Sequence, residues 1–295
     1  MYRVFSICVV LLLLTYSAAA QTSAIKTRVA VLDFGSSKLG KQFAGQLRNL
    51  LRSNVDIQVS DPDLTTAAAN GVGYNGSLNL SLTEARDLGS AIGSDFYLLG
   101  DAQTLRRTSS NAPLYYESYL TLFLISARTG RLIFWDRLNA KSNDESDAET
   151  TLFKILSESG AKERWLSSLW KAKTDESNER LAELDLAAPI LEEAPGEDES
   201  TPEMGLSLPK PYRRLKPAYP DVAAHADVEA TVDVLVDIDA DGEVKQVRVA
   251  RWAGFGLDET TVATVRQLHF FPAKRDGNAI PMRVLLRYNF RKPAP

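Results

Sequence analysis

The chain has 295 residues, 44% of them hydrophobic and 24% charged, which is a globular composition with the length for about two domains. Its 34 Lys and Arg are outnumbered by 38 Asp and Glu, for a formal charge of -4. Nucleic acid is thereby excluded as an expected partner, because phosphate binding needs concentrated cations to displace counterions.

Residues 1–20 carry Arg3, an apolar run from Val4 to Leu14, and Ala18-Ala19-Ala20 ahead of Gln21. This is the three-part layout of a secretory signal peptide, with small side chains where the peptidase pocket needs them. The run is shorter than the roughly 20 residues of a comfortable membrane span. Export with cleavage after Ala20 is the expectation, and retention as an inner-membrane anchor is the alternative. Either outcome places the chain in the periplasm or cell envelope. Cys8, the single cysteine, lies inside the run, so a cleaved chain would have no disulfide and no thiol ligand.

Val29-Ala30-Val31-Leu32-Asp33-Phe34 reads as a strand, and Phe43, Leu47, Leu50 and Leu51 recur at helical spacing over Leu39 to Leu51. Val55 to Val59 is a second strand, Asp61-Pro62-Asp63 a turn, and residues 70–79 a loop. Ser81-Leu82-Thr83-Glu84 is a capping box that opens a helix from Leu82 to Ile92. Strands follow over Phe96 to Leu99, Tyr115 to Ala127 and Arg131 to Leu138, the last two forming a hairpin about Arg128-Thr129-Gly130. A helix from Glu149 to Trp170 shows the stripe Leu152, Ile155, Leu156, Trp165, Leu166 and Leu169. Residues 28–171 are therefore expected to form a mixed α/β domain. Residues 172–211 are expected to hold the helix end and a flexible acidic linker. From Glu183 to Pro209 that segment contains Pro189, Pro195, Pro202 and Pro209 and too little apolar surface to offset the entropy of ordering it.

Residues 212–292 read as a second domain. Pro217-Ala218-Tyr219-Pro220 leads into an alternating strand from Val228 to Ile238, an Asp241-Gly242 turn whose glycine supplies positive φ, and a strand from Val244 to Ala250. A helix from Leu257 to Leu268 should lay Val262, Val265 and Leu268 on the sheet, and a last strand ends at Phe290. The fold class is α+β: a mixed α/β domain, an acidic proline-containing linker, and a small antiparallel sheet with one packed helix.

Chemistry-bearing patterns reduce to structural ones. Gly35-Ser36-Ser37-Lys38-Leu39-Gly40-Lys41 has most of a phosphate-binding loop, but Gln42 stands where a Mg²⁺-holding hydroxyl is needed. Asp237-Ile238-Asp239-Ala240-Asp241-Gly242 starts like a calcium loop, yet Lys245 and Arg248 fall at its ninth and twelfth positions. His225 and His269 have no metal-ligating neighbours at suitable spacing, and His269, between Leu268 and Phe270, reads as a packed strand residue. No nucleophile elbow is present. No catalytic residue, metal or cofactor is expected, and the chain is not expected to be an enzyme.

Tyr219-Pro220, Ala223, the two strands around Asp241-Gly242, Gly256-Leu257-Asp258, Phe270-x-Pro272-Ala273, Gly277 and the strand ending at Phe290 together resemble the TonB C-terminal domain. The resemblance implies a non-catalytic envelope protein that binds an outer-membrane TonB-dependent transporter, or another envelope protein, by adding the partner's segment to its last strand. It also implies a link to an inner-membrane motor complex that energises transport. The residues carrying partner binding would be Tyr219 and Pro220 with the edge strand Val284, Leu285, Leu286, Arg287, Tyr288, Asn289 and Phe290. An exposed edge offers unpaired amides and carbonyls, which would equally serve a homodimer. For Tyr219, docking against the sheet is favoured. One departure stands out: His225-Ala226-Asp227-Val228 occupies positions where the family usually carries glycines.

Val29 to Phe34, with the amphipathic helix after it, and Ala91 to Gly100 more loosely resemble the α/β domains of the N-terminal part of TolB and of curli-secretion and penicillin-binding-protein activator lipoproteins. The rival to a transducer is a soluble periplasmic scaffold or adaptor that uses the TonB-like module for assembly. The acidic linker, at about 3.1 Å per extended residue, spans only part of a periplasm.

Overall fold

The computed structural model describes residues 26–109, 112–158, 160–183, 191–194 and 205–292. The signal or anchor read in residues 1–20, and most of the acidic linker, lie outside the described residues. None of the described helices is long and apolar enough to cross a membrane.

The N-terminal domain is a five-stranded mixed sheet. Strand β1 (Thr27–Val31) lies between two parallel neighbours, β2 (Ile57–Val59) and β3 (Phe96–Ser109). Beyond β3, the antiparallel strands β4 (Ala112–Ser126) and β5 (Leu132–Ser142) complete the order β2-β1-β3-β4-β5. β3 outruns its apolar start because Gln103, Thr104, Arg106 and Arg107 continue the pairing with β4 as far as Ser109.

Helix α1 (Lys38–Arg52) starts at Ser37, whose Oγ accepts from the Gly40 N–H at 2.9 Å. Gly40 is required there, since a Cβ would sit 1.8 Å from the Phe34 carbonyl oxygen. The phosphate-loop lookalike is thus a strand-to-helix turn whose serine caps the helix. Asp61 accepts from the N–H groups of Asp63 and Leu64, and α2 (Pro62–Gly71) follows. Asp61-Pro62-Asp63 therefore opens a helix instead of making the expected turn, because an Asp N-cap before Pro at N1 is itself a start signal. In α3 (Leu82–Ile92) the capping box forms as read, with Ser81 N–H donating to Glu84 Oε2 at 2.7 Å. The single helix expected over Glu149 to Trp170 is two: α4 (Glu145–Glu158) and α5 (Ala161–Glu183), parted at Gly160.

Side chains alternate across the sheet and sort into two cores. Leu98, Leu120, Leu122 and Leu124 face α1, α4 and α5, where Phe43 stacks on Phe153 at 3.9 Å between centroids. Tyr97, Leu99, Phe123 and Ile125 face the opposite way, into a core shared with α3 and with the C-terminal domain. The near-continuous apolar run of β4 is explained by burial on both faces.

The C-terminal domain opens with two short strands, β6 (Leu206–Ser207) and β7 (Lys210–Pro211), and a one-turn helix, α6 (Asp221–His225). Its main sheet contains β8 (Ala230–Ile238) and β9 (Val244–Arg251). After α7 (Leu257–Val265) come β10 (Phe270–Phe271), β11 (Ala273–Arg275), β12 (Asn278–Ile280) and β13 (Met282–Phe290). The main sheet is antiparallel in the order β13-β8-β9. Val232, Val234, Val236 and Ile238 are buried against Leu257, Val265 and Leu268, while Val262 is half-buried beside them. In the β8–β9 turn Gly242 has φ +87°, and a Cβ there would meet the Phe270 carbonyl oxygen at 1.8 Å. Asp239 Oδ1 accepts from the Asp241 and Glu243 N–H groups, so the calcium-like run is a hydrogen-bonded turn. His269 is exposed beside Glu243, Nδ1 to Oε1 3.0 Å, and not packed as expected, because its alternate neighbours Leu268 and Phe270 take the buried side.

Candidate functional site: the two edges of the C-terminal sheet

β13 pairs with β8 without a register shift, from Met282↔Ile238 to Phe290↔Ala230. Met282, Val284, Leu286, Tyr288 and Phe290 turn toward the core, and Arg283, Leu285, Arg287 and Asn289 toward the outer face. On that outer face Arg283 holds Asp237 through Nε and Nη2 at 2.5 and 2.9 Å, and Arg287 holds Asp233 at 2.8 and 3.1 Å. Forked guanidinium–carboxylate contacts fix both partners. The hydrogen bond from Arg283 holds the Asp237 carboxyl below the ordinary range despite burial.

At its outer edge β13 meets the segment around Glu193 at Arg283. Arg283 N–H donates to the Glu192 carbonyl and the Ala194 N–H donates to the Arg283 carbonyl, both at 2.8 Å, making one parallel bridge centred on Glu193. Arg275 supports it through Glu192 at 2.5 Å, and Arg283 approaches Glu193 at 3.6 Å. Because backbone groups alternate along an antiparallel strand, those of Leu285, Arg287 and Asn289 point the same way as those of Arg283. The groups of Val284, Leu286, Tyr288 and Phe290 point into the ladder with β8. Among the described residues no strand or bridge pairs with the edge at Leu285 or Asn289.

Tyr219 leans on Phe290, ring centroids 6.3 Å apart, and its hydroxyl donates to the Val228 carbonyl at 2.5 Å. Burial raises its pKa. Tyr219 and the end of β13 are thus brought together, whereas Pro220 precedes α6 and lies against Gly256, whose Cβ would be 3.3 Å from Pro220 Cγ.

At the end of β9 the C-terminal sheet meets the N-terminal domain, where Ser81 bridges Arg251 and the Trp252 N–H donates to the Leu80 carbonyl. Asn79 Oδ1 accepts from the Thr231 N–H at 3.0 Å while its Nδ2 donates to the carbonyls of Thr231 and Trp252 at 2.8 and 2.6 Å. The side-chain amide imitates a paired strand residue. Trp252 is buried, donates from Nε1 to the Gly130 carbonyl at 3.0 Å, and stacks on Phe123 at 5.7 Å between centroids. Gly254 has φ +71°, and a Cβ there would be 2.5 Å from the Phe123 ring. Asp258 ties this loop, its two carboxylate oxygens accepting from the Ala253 and Gly254 N–H groups at 2.9 Å. Burial pushes its pKa up to about 6.

His225 and Asp227, the residues in place of the expected glycines, also meet the N-terminal domain. His225 Nε2 lies 3.0 Å from Oε1 of the fully buried Glu117, which Arg107 holds at 3.0 Å on its other oxygen. Burial raises the Glu117 carboxyl, but the His225 contact with the charges of Arg107 and Lys141 outweighs it and keeps the pKa below the ordinary value. Asp227 takes φ +53° and pairs with Lys292 at 2.6 Å and Arg107 at 3.8 Å. The reshaped approach to β8 serves docking. Sequence reasoning did not find Asn79, Trp252, Gly254 or Glu117, since each acts on a residue more than 100 positions away.

Residues 216–291 match the family described as Gram-negative bacterial TonB protein C-terminal. The C-terminal domain of this chain is a TonB C-terminal domain, a non-catalytic kind of module found in cell-envelope proteins. No curated protein matches the chain. Among solved structures, the TonB C-terminal domain of Pseudomonas aeruginosa is similar at 21% identity over 32% of this chain and 94% of that one, with a TM-score of 0.26. The LpoB C-terminal domain from Salmonella enterica is similar at 17% identity over 41% of this chain and 87% of that one, TM-score 0.28. PelC from Paraburkholderia phytofirmans, a dodecamer, is similar at 15% identity over 45% and 88%, TM-score 0.26. The family match, and not these scores, identifies the C-terminal domain.

Proposed function

We propose that this is a non-catalytic, exported envelope protein that takes an extended segment of an outer-membrane transporter onto β13 as an added strand. The supporting observation is the outward backbone groups at Leu285 and Asn289, which follow the Glu193 bridge along β13. An incoming strand would gain main-chain hydrogen bonds there, and the contact of half-buried Tyr219 with buried Phe290 would border its far end. Coupling to an inner-membrane motor complex belongs to this reading if residues 1–20 remain as an anchor.

Leu285→Pro tests it. Proline removes an outward N–H and none of the bonds to β8. Starting from Gln21, the variant should stay folded but capture transporters from a solubilised outer-membrane fraction roughly tenfold less well, as expected for a lost main-chain bond and its neighbours. Undiminished capture by the folded variant would remove β13 from the account.

A periplasmic adaptor is the second reading. It is favoured by the docking through Asn79, Trp252 and His225, which holds the TonB domain on a fixed body. N-terminal sequencing of the native protein separates the two: a mature chain starting at Gln21 supports the adaptor, and one retaining residues 1–20 supports the transducer.

A further inference from the structure

The face carrying β7 and β10 is built unlike the rest of this acidic chain. Lys210 pairs with Phe271 and Pro211 with Phe270. Side chains alternate along a strand, so Leu208, Lys210 and Tyr212 share one face, and the pairing puts Phe271 on it too. Phe270 is buried, whereas Tyr212 is 58%, Phe271 60% and Leu208 40% exposed. The Tyr212 and Phe271 rings lean on each other with centroids 4.3 Å apart, so they form one apolar ridge in solvent.

Lys210, Arg213, Arg214 and Lys216 lie beside this ridge in the sequence, and the segment from Leu208 to Lys216 contains no acid. All of these cations are exposed, and among the described residues none has a carboxylate partner. On the β13 face, by contrast, Arg283 and Arg287 are each fastened to an aspartate. Unpaired cations beside exposed aromatic and leucine side chains match an anionic bilayer surface. Guanidinium and ammonium groups meet headgroup phosphates, and rings settle at the interface. An acidic polypeptide would use the cations and leave the ridge beside them in water.

We propose that Leu208 to Lys216, with Phe271, is a peripheral docking surface for an anionic phospholipid bilayer. The surface is independent of strand addition at β13.

The test is sedimentation with vesicles of phosphatidylcholine alone or with added phosphatidylglycerol. The chain from Gln21 keeps every residue of both cores and lacks the apolar run of residues 1–20, so binding reports on the folded surface. It should bind only the phosphatidylglycerol vesicles, and less as salt rises. Arg213→Gln with Arg214→Gln should lower partitioning about tenfold or more. Tyr212→Ser with Phe271→Ser should also lower it, and both pairs should melt like the parent because the side chains are exposed. Val55→Ser with Leu64→Ser removes side chains 76% and 73% exposed on the N-terminal domain and should change nothing. The proposal fails if the parent ignores phosphatidylglycerol at low salt, if the arginine pair binds as the parent does, or if the control pair weakens binding as much. It fails equally if immobilised poly-glutamate captures the chain while vesicles do not.

Discussion

The two sides of the β13-β8-β9 sheet meet different neighbours. On the β9 side the Asn79 amide bonds both backbone groups of Thr231, Trp252 fills the core under Phe123, and His225 reaches the buried Glu117. On the β13 side the chain itself makes one bridge, at Arg283, among the described residues, and the outward groups of Leu285 and Asn289 are not paired by any described strand. The end of β9 therefore joins the two domains, and the β13 edge is the one we propose takes a partner's strand. The contact through Trp252 is fixed by packing, whereas the described contacts at Arg283 are two backbone hydrogen bonds and the ion pairs of Arg275 with Glu192 and Arg283 with Glu193, and surface ion pairs are individually weak.

Substitutions should separate the edges by size of effect. Trp252→Ala is expected to cost about 4 kcal/mol in urea unfolding, from lost burial and the cavity left behind, and to free the C-terminal domain to limited proteolysis. Asp258 makes the same docking loop depend on pH. Its carboxyl ordinarily titrates near 3.8 and in the fold near 6, so the folded chain holds the proton across that interval. Its contribution is complete below pH 3.8 and is lost as pH rises through about 6. Against Asp258→Asn, the parent should lose up to about 3 kcal/mol over that window. Asn79→Ala should cost about 2 kcal/mol by stranding the Thr231 and Trp252 backbone groups. His225→Ala should cost about 1 kcal/mol, since Arg107 still holds Glu117. Leu285→Pro should cost least, under about 1 kcal/mol, because it breaks no bond to β8. If Leu285→Pro unfolds the domain as Trp252→Ala does, the contrast between the edges is wrong.

What could be read from the sequence follows from range. The β8, β9, α7 and β13 elements announce themselves by period-two valines and an Asp-Gly turn, and α3 by its capping box, all local signals. The helix at Pro62 was also locally written, but Asp61-Pro62 serves turns and helix starts alike. Asp276-Gly277 between β11 and β12, with φ +50° and +85°, is a tight-hairpin signal that could have revealed those strands. Docking was not legible. Asn79 sits in a common Asn-x-Ser pattern, and nothing near it points to Thr231. His225 and Asp227 looked only like missing glycines until Glu117 and Arg107 were placed beside them. The candidate edge was legible as a strand, but which of its residues face outward needed the Arg283 bridge to set the phase.

Residue-resolved amide hydrogen exchange along β13 tests the central claim most directly. In the free chain from Gln21, the N–H groups of Leu285 and Asn289 should exchange fast and those of Val284, Leu286 and Tyr288 slowly. A synthetic peptide carrying the TonB box of an outer-membrane transporter should then protect the fast set. Uniform protection in the free chain, or peptide-induced protection confined to residues outside β13, would contradict an edge kept open for a partner's strand.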